Sequence, residues 1–282
     1  MIAPVQSTGA VTLAPMSSTN LSLVGRLIPQ TTGQGLNVVS DIFNNFVQGQ
    51  DSDVSVHGAS AGPSSATWLN EGIQALVVDT VLPNRGKLNV IQSISLNELE
   101  LFFAEDTAYT PLTTSKDTQA AFTLPFAFPL DITALDQSIT VSFDNTPFAQ
   151  LVIPRGPAST DVAARIIHLT FSQVPFAALG DQHSTFDSFL AATTIGKSQT
   201  IGLSGAANAD ASTAIGVLNL KNISFNVQSS IAGLQGLDAK PVSIANLDVA
   251  QGFADFLLIT VDTGLFNPRC VSTCKQLFSH CL

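Results

Sequence analysis

Charge is scarce in this sequence. Only 11% of its 282 residues are Asp, Glu, Lys or Arg, against about 25% in an average soluble domain. The 11 basic residues are outnumbered by 21 acidic ones, and the formal net charge of −10 repels a phosphate backbone, so nucleic acid is not an expected partner. Cysteine is missing until Cys270 and then appears three times by Cys281. The body of the chain therefore carries no redox information, and the tail stands apart in composition. Trp68 and Tyr109 are single copies beside 18 Phe, so most aromatic area has no polar edge to satisfy and belongs in a dry interior or against an apolar ligand. Long apolar runs are also missing: the best candidate, residues 120–135, is broken by Pro125, Pro129 and Asp131, which predicts no membrane span in the chain as given. Its start, Met1-Ile2-Ala3-Pro4, lacks the basic residue and apolar run of a signal peptide.

What is present is 45% apolar residues, enough to exclude a disordered chain, over a length that allows one large domain or two ordinary ones. Most of the sequence reads in period two or as short β-rich runs between Gly, Pro, Asn and Asp. Strands are predicted over 21–24, 54–57, 76–81, 88–103, 138–143, 148–153, 165–171, 200–205, 215–227, 242–249 and 255–261. In the run 88–103, Ile91, Ile94, Leu96, Leu99, Leu101 and Phe103 mix strict alternation with one shift of phase, as expected of a long strand interrupted by a β-bulge. Helices are predicted over 37–47, with Val38, Ile42, Phe43 and Phe46 on one stripe and Gly49 after the end, near Ser65, and over 184–192. Strands with a few interspersed helices predict an all-β sandwich with helices at its ends. The breaker cluster Pro83-Asn84-Arg85-Gly86 divides the body into 1–84 and 85–268, the first piece short for an independent sandwich. "LNVIQSISLNEL" at 88–99 and "LNLKNISFNVQS" at 218–229 hint at an internal repeat.

Several constellations invite a chemical reading. Gly58-Ala59-Ser60-Ala61-Gly62 matches the nucleophile elbow of α/β-hydrolases, in which Ser60 would attack from a turn leading directly from strand into helix. Pro63 and the serines after it delay any helix, no oxyanion segment lies upstream, and His183 with Asp181 is the best later partner. A Gly/Ser-rich loop is the preferred reading. Asp51 and Asp53 offer too few oxygens for a Ca²⁺ loop, and Glu98 and Glu100 alternate with Leu99 and Leu101 as on a half-exposed strand. Cys270, Cys274, His280 and Cys281 match no familiar zinc spacing. No metal and no cofactor is expected. Asn20-Leu21-Ser22 and Asn222-Ile223-Ser224 are glycosylation sequons, usable in a secretory lumen. Phe102, Phe103, Phe122, Phe126, Phe128, Phe186 and Phe189 fill a sandwich core or, on the sharper reading, line an apolar groove for lipid.

The phrases "LSLVGRLIPQ" (21–30), "FNNFVQGQDSDVSVHG" (43–58), "WLNEGIQALVVDTVLP" (68–83), "FTLPFAFPLDIT" (122–133), "GLDAKPVSIANLDVAQG" (236–252) and "VDTGLFNP" (261–268) together resemble a fungal family of membrane-anchored proteins. These are found at the vacuole and elsewhere in the endomembrane system and are often catalogued as pre-rRNA processing proteins. The resemblance implies tandem antiparallel β-sandwich modules similar to the late-embryogenesis-abundant sandwich, behind one N-terminal transmembrane helix that this chain lacks. Residues 1–84 would then be the C-terminal part of a first module, 85–268 a complete second module, and 269–282 a Cys-rich tail outside the fold. It implies a non-catalytic binding module on the lumenal side of an endomembrane or vacuole, associated with the membrane through the missing anchor and binding or transferring lipid. The alternative is a structural or protein-interaction scaffold, with an esterase using Ser60 third. The pre-rRNA label finds no basic stripe to support it.

Overall fold

The computed structural model describes residues 2–12, 15–60, 67–84, 86–124, 129–237, 240–253 and 255–264. Among them the chain forms β1 (Val5–Ser7), β2 (Leu23–Gly25), α1 (Gly33–Gln48), β3 (Ser52–His57), α2 (Thr67–Gln74), β4 (Val77–Leu82), β5 (Ile91–Phe102), β6 (Leu112–Phe122), β7 (Asp131–Phe143), β8 (Thr146–Asp161), β9 (Ile166–Ala178), α3 (His183–Ile195), β10 (Ser198–Thr213), β11 (Gly216–Ala232), β12 (Ser243–Gly252) and β13 (Leu257–Gly264). The class is all-β with a few helices. Strands β5 to β11 make one antiparallel sheet in the order β11-β10-β7-β8-β9-β6-β5. The sheet curls until its two outer strands, β5 and β11, lie against each other without exchanging backbone hydrogen bonds. The expected sandwich thus takes the form of a single sheet folded over its own interior. No helix of the described residues is long and apolar enough to cross a membrane.

Bulges do the curling. Glu98, Gln173 and Asn222 all have positive φ, 49°, 58° and 54°, a region that L-residues with a full side chain adopt reluctantly. At each, the buried phase of the strand changes parity. In β5 it passes from Ile94 and Leu96 to Leu99 and Leu101, in β9 from Leu169 and Phe171 to Val174 and Phe176, and in β11 from Leu218 and Leu220 to Ile223 and Phe225. One extra residue in a strand bends it and strengthens its twist. β9 carries one at Gln173 and β11 one at Asn222, where the register with β6 and β10 shifts, while at Glu98 β5 and β6 change phase together and keep their register. Around the phase change at Glu98, side-chain hydroxyls of β6 bond carbonyls of β5. Ser115 Oγ donates to Asn97 O at 2.8 Å and Thr113 Oγ1 to Glu100 O at 3.0 Å, while Thr118 Oγ1 donates to Ser115 Oγ at 2.9 Å. These hydroxyls are buried and bonded, as interior polar groups must be. Between β7 and β8, Asp144 and Asn145 form a two-residue turn with positive φ at both positions, the requirement of a type I′ hairpin.

Helix α1 seals the outer edge of β11. Thr32 caps its start, accepting from Gly35 N at 3.2 Å, and Gly49, at φ 78°, ends it in the left-handed conformation that a side chain would resist. Along one face Ser40, Asn44 and Gln48 recur at four-residue spacing. Asn219 N donates to Ser40 Oγ at 3.0 Å, Asn44 Nδ2 donates to Asn219 O at 3.1 Å, Lys221 N donates to Asn44 Oδ1 at 2.8 Å, and Gln48 Nε2 donates to Lys221 O at 3.1 Å. Three side chains thereby stand in for a neighbouring strand, covering an edge that would otherwise invite foreign pairing. Val39, Phe43 and Val47 on the adjoining face join the core, each burial worth about 1.5–3 kcal/mol. The stripe expected from sequence, Val38, Ile42, Phe43 and Phe46, is therefore rotated by about one residue, and Val38 is exposed. Docking a polar ladder onto a strand edge, and not only apolar side chains onto a sheet face, sets that rotation.

Three strand pairs stand apart from the large sheet: β1 with β2, β3 with β4, and β12 with β13. In β12–β13 the register places Leu247 opposite Val261 and Val249 opposite Ile259 on one face, and Asn246 opposite Asp262 and Asp248 opposite Thr260 on the other. The hairpin has one apolar face and one polar face, and its apolar residues Leu247, Val249, Leu257 and Ile259 are exposed.

Candidate functional site

The interior of the curled sheet has two ends with different chemistry. At one, α3 acts as a plug. Phe186 and Phe189 sit at successive turns of α3 and are buried against Phe148 and Phe176. Phe148 meets Phe186 at 5.9 Å nearly edge-on and Phe189 at 4.8 Å tilted, geometries that aromatic quadrupoles favour. At the rim His183 lies flat on Tyr109, ring centroids 3.8 Å apart, and Tyr109 Oη donates to Asp187 Oδ2 at 3.3 Å. The Asp187 carboxylate, together with desolvation and this bond, raises the Tyr109 phenol above its ordinary value. Below the plug remains a cavity of about 10 Å³ lined by Leu96, Leu99, Thr113 and Phe189 among others, about the least that holds one water.

The other end is roomier. Side chains from β5, β6, β7, β9, β10 and β11 surround a chamber of about 40 Å³. Phe122, Phe225, Leu135 and Ile223 form its walls, Ile91 and Leu124 its half-buried outer end. Room exists because three inward positions carry only a methyl group: Ala120, Ala207 and Ala209. Among the described residues the single polar one in the lining is Gln137, only 6% exposed, and its Nε2 has no hydrogen-bond partner there. A buried amide N–H without an acceptor costs about 1–3 kcal/mol. The chamber is well below the roughly 300–1,000 Å³ of ordinary ligand pockets.

The phenylalanines expected to share one groove are thus divided. Phe122 lines the chamber, and Phe186 and Phe189 belong to the plug. Phe102 and Phe103 are 47% and 50% exposed: the phase change at Glu98 turns Leu99 and Leu101 inward and leaves Phe102 on the outer phase, and Phe103 lies beyond the end of β5. Phe126 and Phe128 lie outside the described residues. Gln137 is not among the residues expected to line a site, although the sequence carries its signal. Leu135, Ile139 and Val141 mark the buried phase of β7, and Gln137 occupies the same phase.

The other candidates have ordinary surroundings. β3 ends at His57 and Ser60 is exposed three residues beyond it, while residues 61–66, which hold the rest of the elbow motif, lie outside the described residues. Asp51 Oδ1 accepts from Asn84 N at 2.8 Å and braces a turn. Glu100 pairs with Lys116 at 3.1 Å, and Arg155 bridges Asp136, at 3.1 Å, and Asp210 on the outer face. Such exposed pairs contribute about 0–1 kcal/mol each. Asp117, His168, Asn97 and Gln119 form a further outer cluster. There, desolvation pushes the Asp117 carboxyl up, and hydrogen bonds from Asn97, Gln119 and His168 outweigh it, so the group titrates below its usual value. Among the described residues no three His, Cys, Asp or Glu side chains gather as a metal site; Cys270, Cys274, His280 and Cys281 lie outside them. Asn20 and Asn222 are both exposed, Asn222 at the bulge of β11. Compared with known proteins, the chain matches no family model, no curated protein and no solved structure.

Proposed function

We propose that this chain is a non-catalytic binding module of a membrane-anchored endomembrane protein, working on the lumenal side and taking the end of a lipid's acyl chain into the curled sheet. The observation that carries this reading is the 40 Å³ apolar chamber beside a seam where β5 and β11 abut without a strand-to-strand ladder, α1 covering the edge of β11 at Asn219 and Lys221. A seam held by side chains parts at lower cost than one held by backbone bonds, and its parting enlarges the chamber. The exposed sequons at Asn20 and Asn222 and the resemblance stated above support the lumenal placement. Native mass spectrometry of the protein purified from a eukaryotic secretory host tests the reading. Bound lipid is expected, and is expected to be lost in Ala207→Leu, which fills the chamber; a lipid-free protein, or lipid retained in that variant, overturns it.

A scaffold role is favoured by a separate observation, the open apolar face of β12–β13. Two-stranded hairpins are marginal alone, and an uncovered apolar face is the usual sign of an interface. Its occupant on this reading is the apolar face of a neighbouring β-module. Replacing Leu247 and Ile259 by Asp then abolishes docking, read by sedimentation of this chain with such a module, and leaves lipid content unchanged. Undiminished docking removes the scaffold reading.

A further inference from the structure

Gln137 gives the chamber a chemical preference. Its Nε2 is buried, unpaired and surrounded by hydrocarbon, and β7 holds it at an inward position between Leu135 and Ile139. Every other lining position is apolar. Arg155, the cation on the neighbouring strand β8, is on the outer face and already paired with Asp136 and Asp210. Among the described residues, a ligand confined to this space meets one amide nitrogen as donor and no positively charged lining residue. Placing an anionic headgroup there would bury an unpaired charge, which costs far more than one hydrogen bond returns. A pure hydrocarbon would fill the volume and leave the amide unsatisfied.

We propose that the chamber selects uncharged, oxygen-bearing lipid ends, an alcohol, ester or ketone oxygen entering first and accepting from Gln137 Nε2, with the alkyl chain leading out past Leu124. The inference rests on the reading above and names its ligand class. It assigns Gln137 as the residue that discriminates ligands by polarity, and Ala207 and Ala209 as the residues that make the space.

The test uses the intact chain and three probes of equal length, 1-octanol, octane and octanoate, titrated by calorimetry or by displacement of a fluorescent apolar dye. Octanol is expected to bind about fivefold more tightly than octane, the yield of one hydrogen bond rescued from an orphaned donor, and octanoate more weakly than either at pH 7. In Gln137→Met, a near-isosteric change that removes the amide, octane is expected to bind more tightly than octanol, whose hydroxyl is then buried without a partner. Gln137→Met is also expected to raise the stability of the ligand-free protein, which shows that the variant folds. Equal binding of octanol and octane to the unaltered chain, or a preference for octanol that survives Gln137→Met, overturns the inference and leaves apolar binding in place. No binding of any probe, or probes excluded from the chamber by a resident water on Gln137, overturns both this inference and the reading it rests on.

Discussion

Tyr109 is the sole tyrosine of the chain, which makes the rim of the aromatic plug directly observable. The nearby Asp187 carboxylate raises its ionisation above 10.0, so absorbance at about 295 nm should show the phenolate forming later than in a free tyrosine. Asp187→Asn should return the transition toward the ordinary value. The unfolded chain ionises first, so this pair subtracts stability as the pH rises past about 10. Asp117 behaves in the opposite sense. Its carboxyl titrates below 3.8, so its contribution is fully present above that value and is lost as the pH falls through the lower folded one. In carbon-detected NMR, Asn97→Ala should move the Asp117 carboxyl titration upward, because Asn97 is one of the donors that hold it ionised; an unmoved titration would remove Asn97 from that role.

At the scale of elements, the polar ladder of α1 is the most exposed to test. Asn44→Ala removes a donor and an acceptor at once and strands Asn219 O and Lys221 N at a partly buried edge. The expected loss is about 2–4 kcal/mol from two unsatisfied groups, measured by urea unfolding; a loss under about 1 kcal/mol would mean that water replaces the amide freely. The helix itself was legible in the sequence, from Gly49 and the apolar residues before it, but its rotation was not. Ser40, Asn44 and Gln48 look like an ordinary solvent face until β11 is known to need partners. The phase shift in β5 was legible as well, since its apolar residues change parity where the inward face does. β6 was not, because Thr113, Ser115 and Thr118 face inward, and inward hydroxyls erase the apolar alternation by which a strand is recognised. Gln137 is hidden in the sequence for the same reason, a polar residue on the inward phase of β7.

For the whole molecule, closure depends on the close approach of β7 and β10. A Cβ on Gly205 would lie 2.0 Å from Ser138 O and 3.1 Å from Phe225 Cζ, so Gly205→Ala must force central strands apart or displace a chamber wall. Its expected cost is at least about 3 kcal/mol, measured by thermal or urea unfolding, and unchanged stability would show that the sheet has slack at its centre. By contrast, β12 and β13 contact chiefly each other. Leu247→Asp with Ile259→Asp should therefore change the stability of the seven-stranded sheet by no more than about 0.5 kcal/mol, although it removes the apolar face of the hairpin.

The pairing of α1 with β11 also has a consequence in time. Asn44 and Asn219 are 175 residues apart, so the helix leaves the ribosome long before the strand it guards. At about 5–20 residues per second, roughly 10–35 s of synthesis pass while Val39, Phe43 and Val47 have no finished sheet to cover. The nascent chain must carry that sticky helix, unattached, through most of its own production. Any slowing of translation between the two lengthens the interval in which a chaperone, or a neighbouring nascent chain, can claim it first.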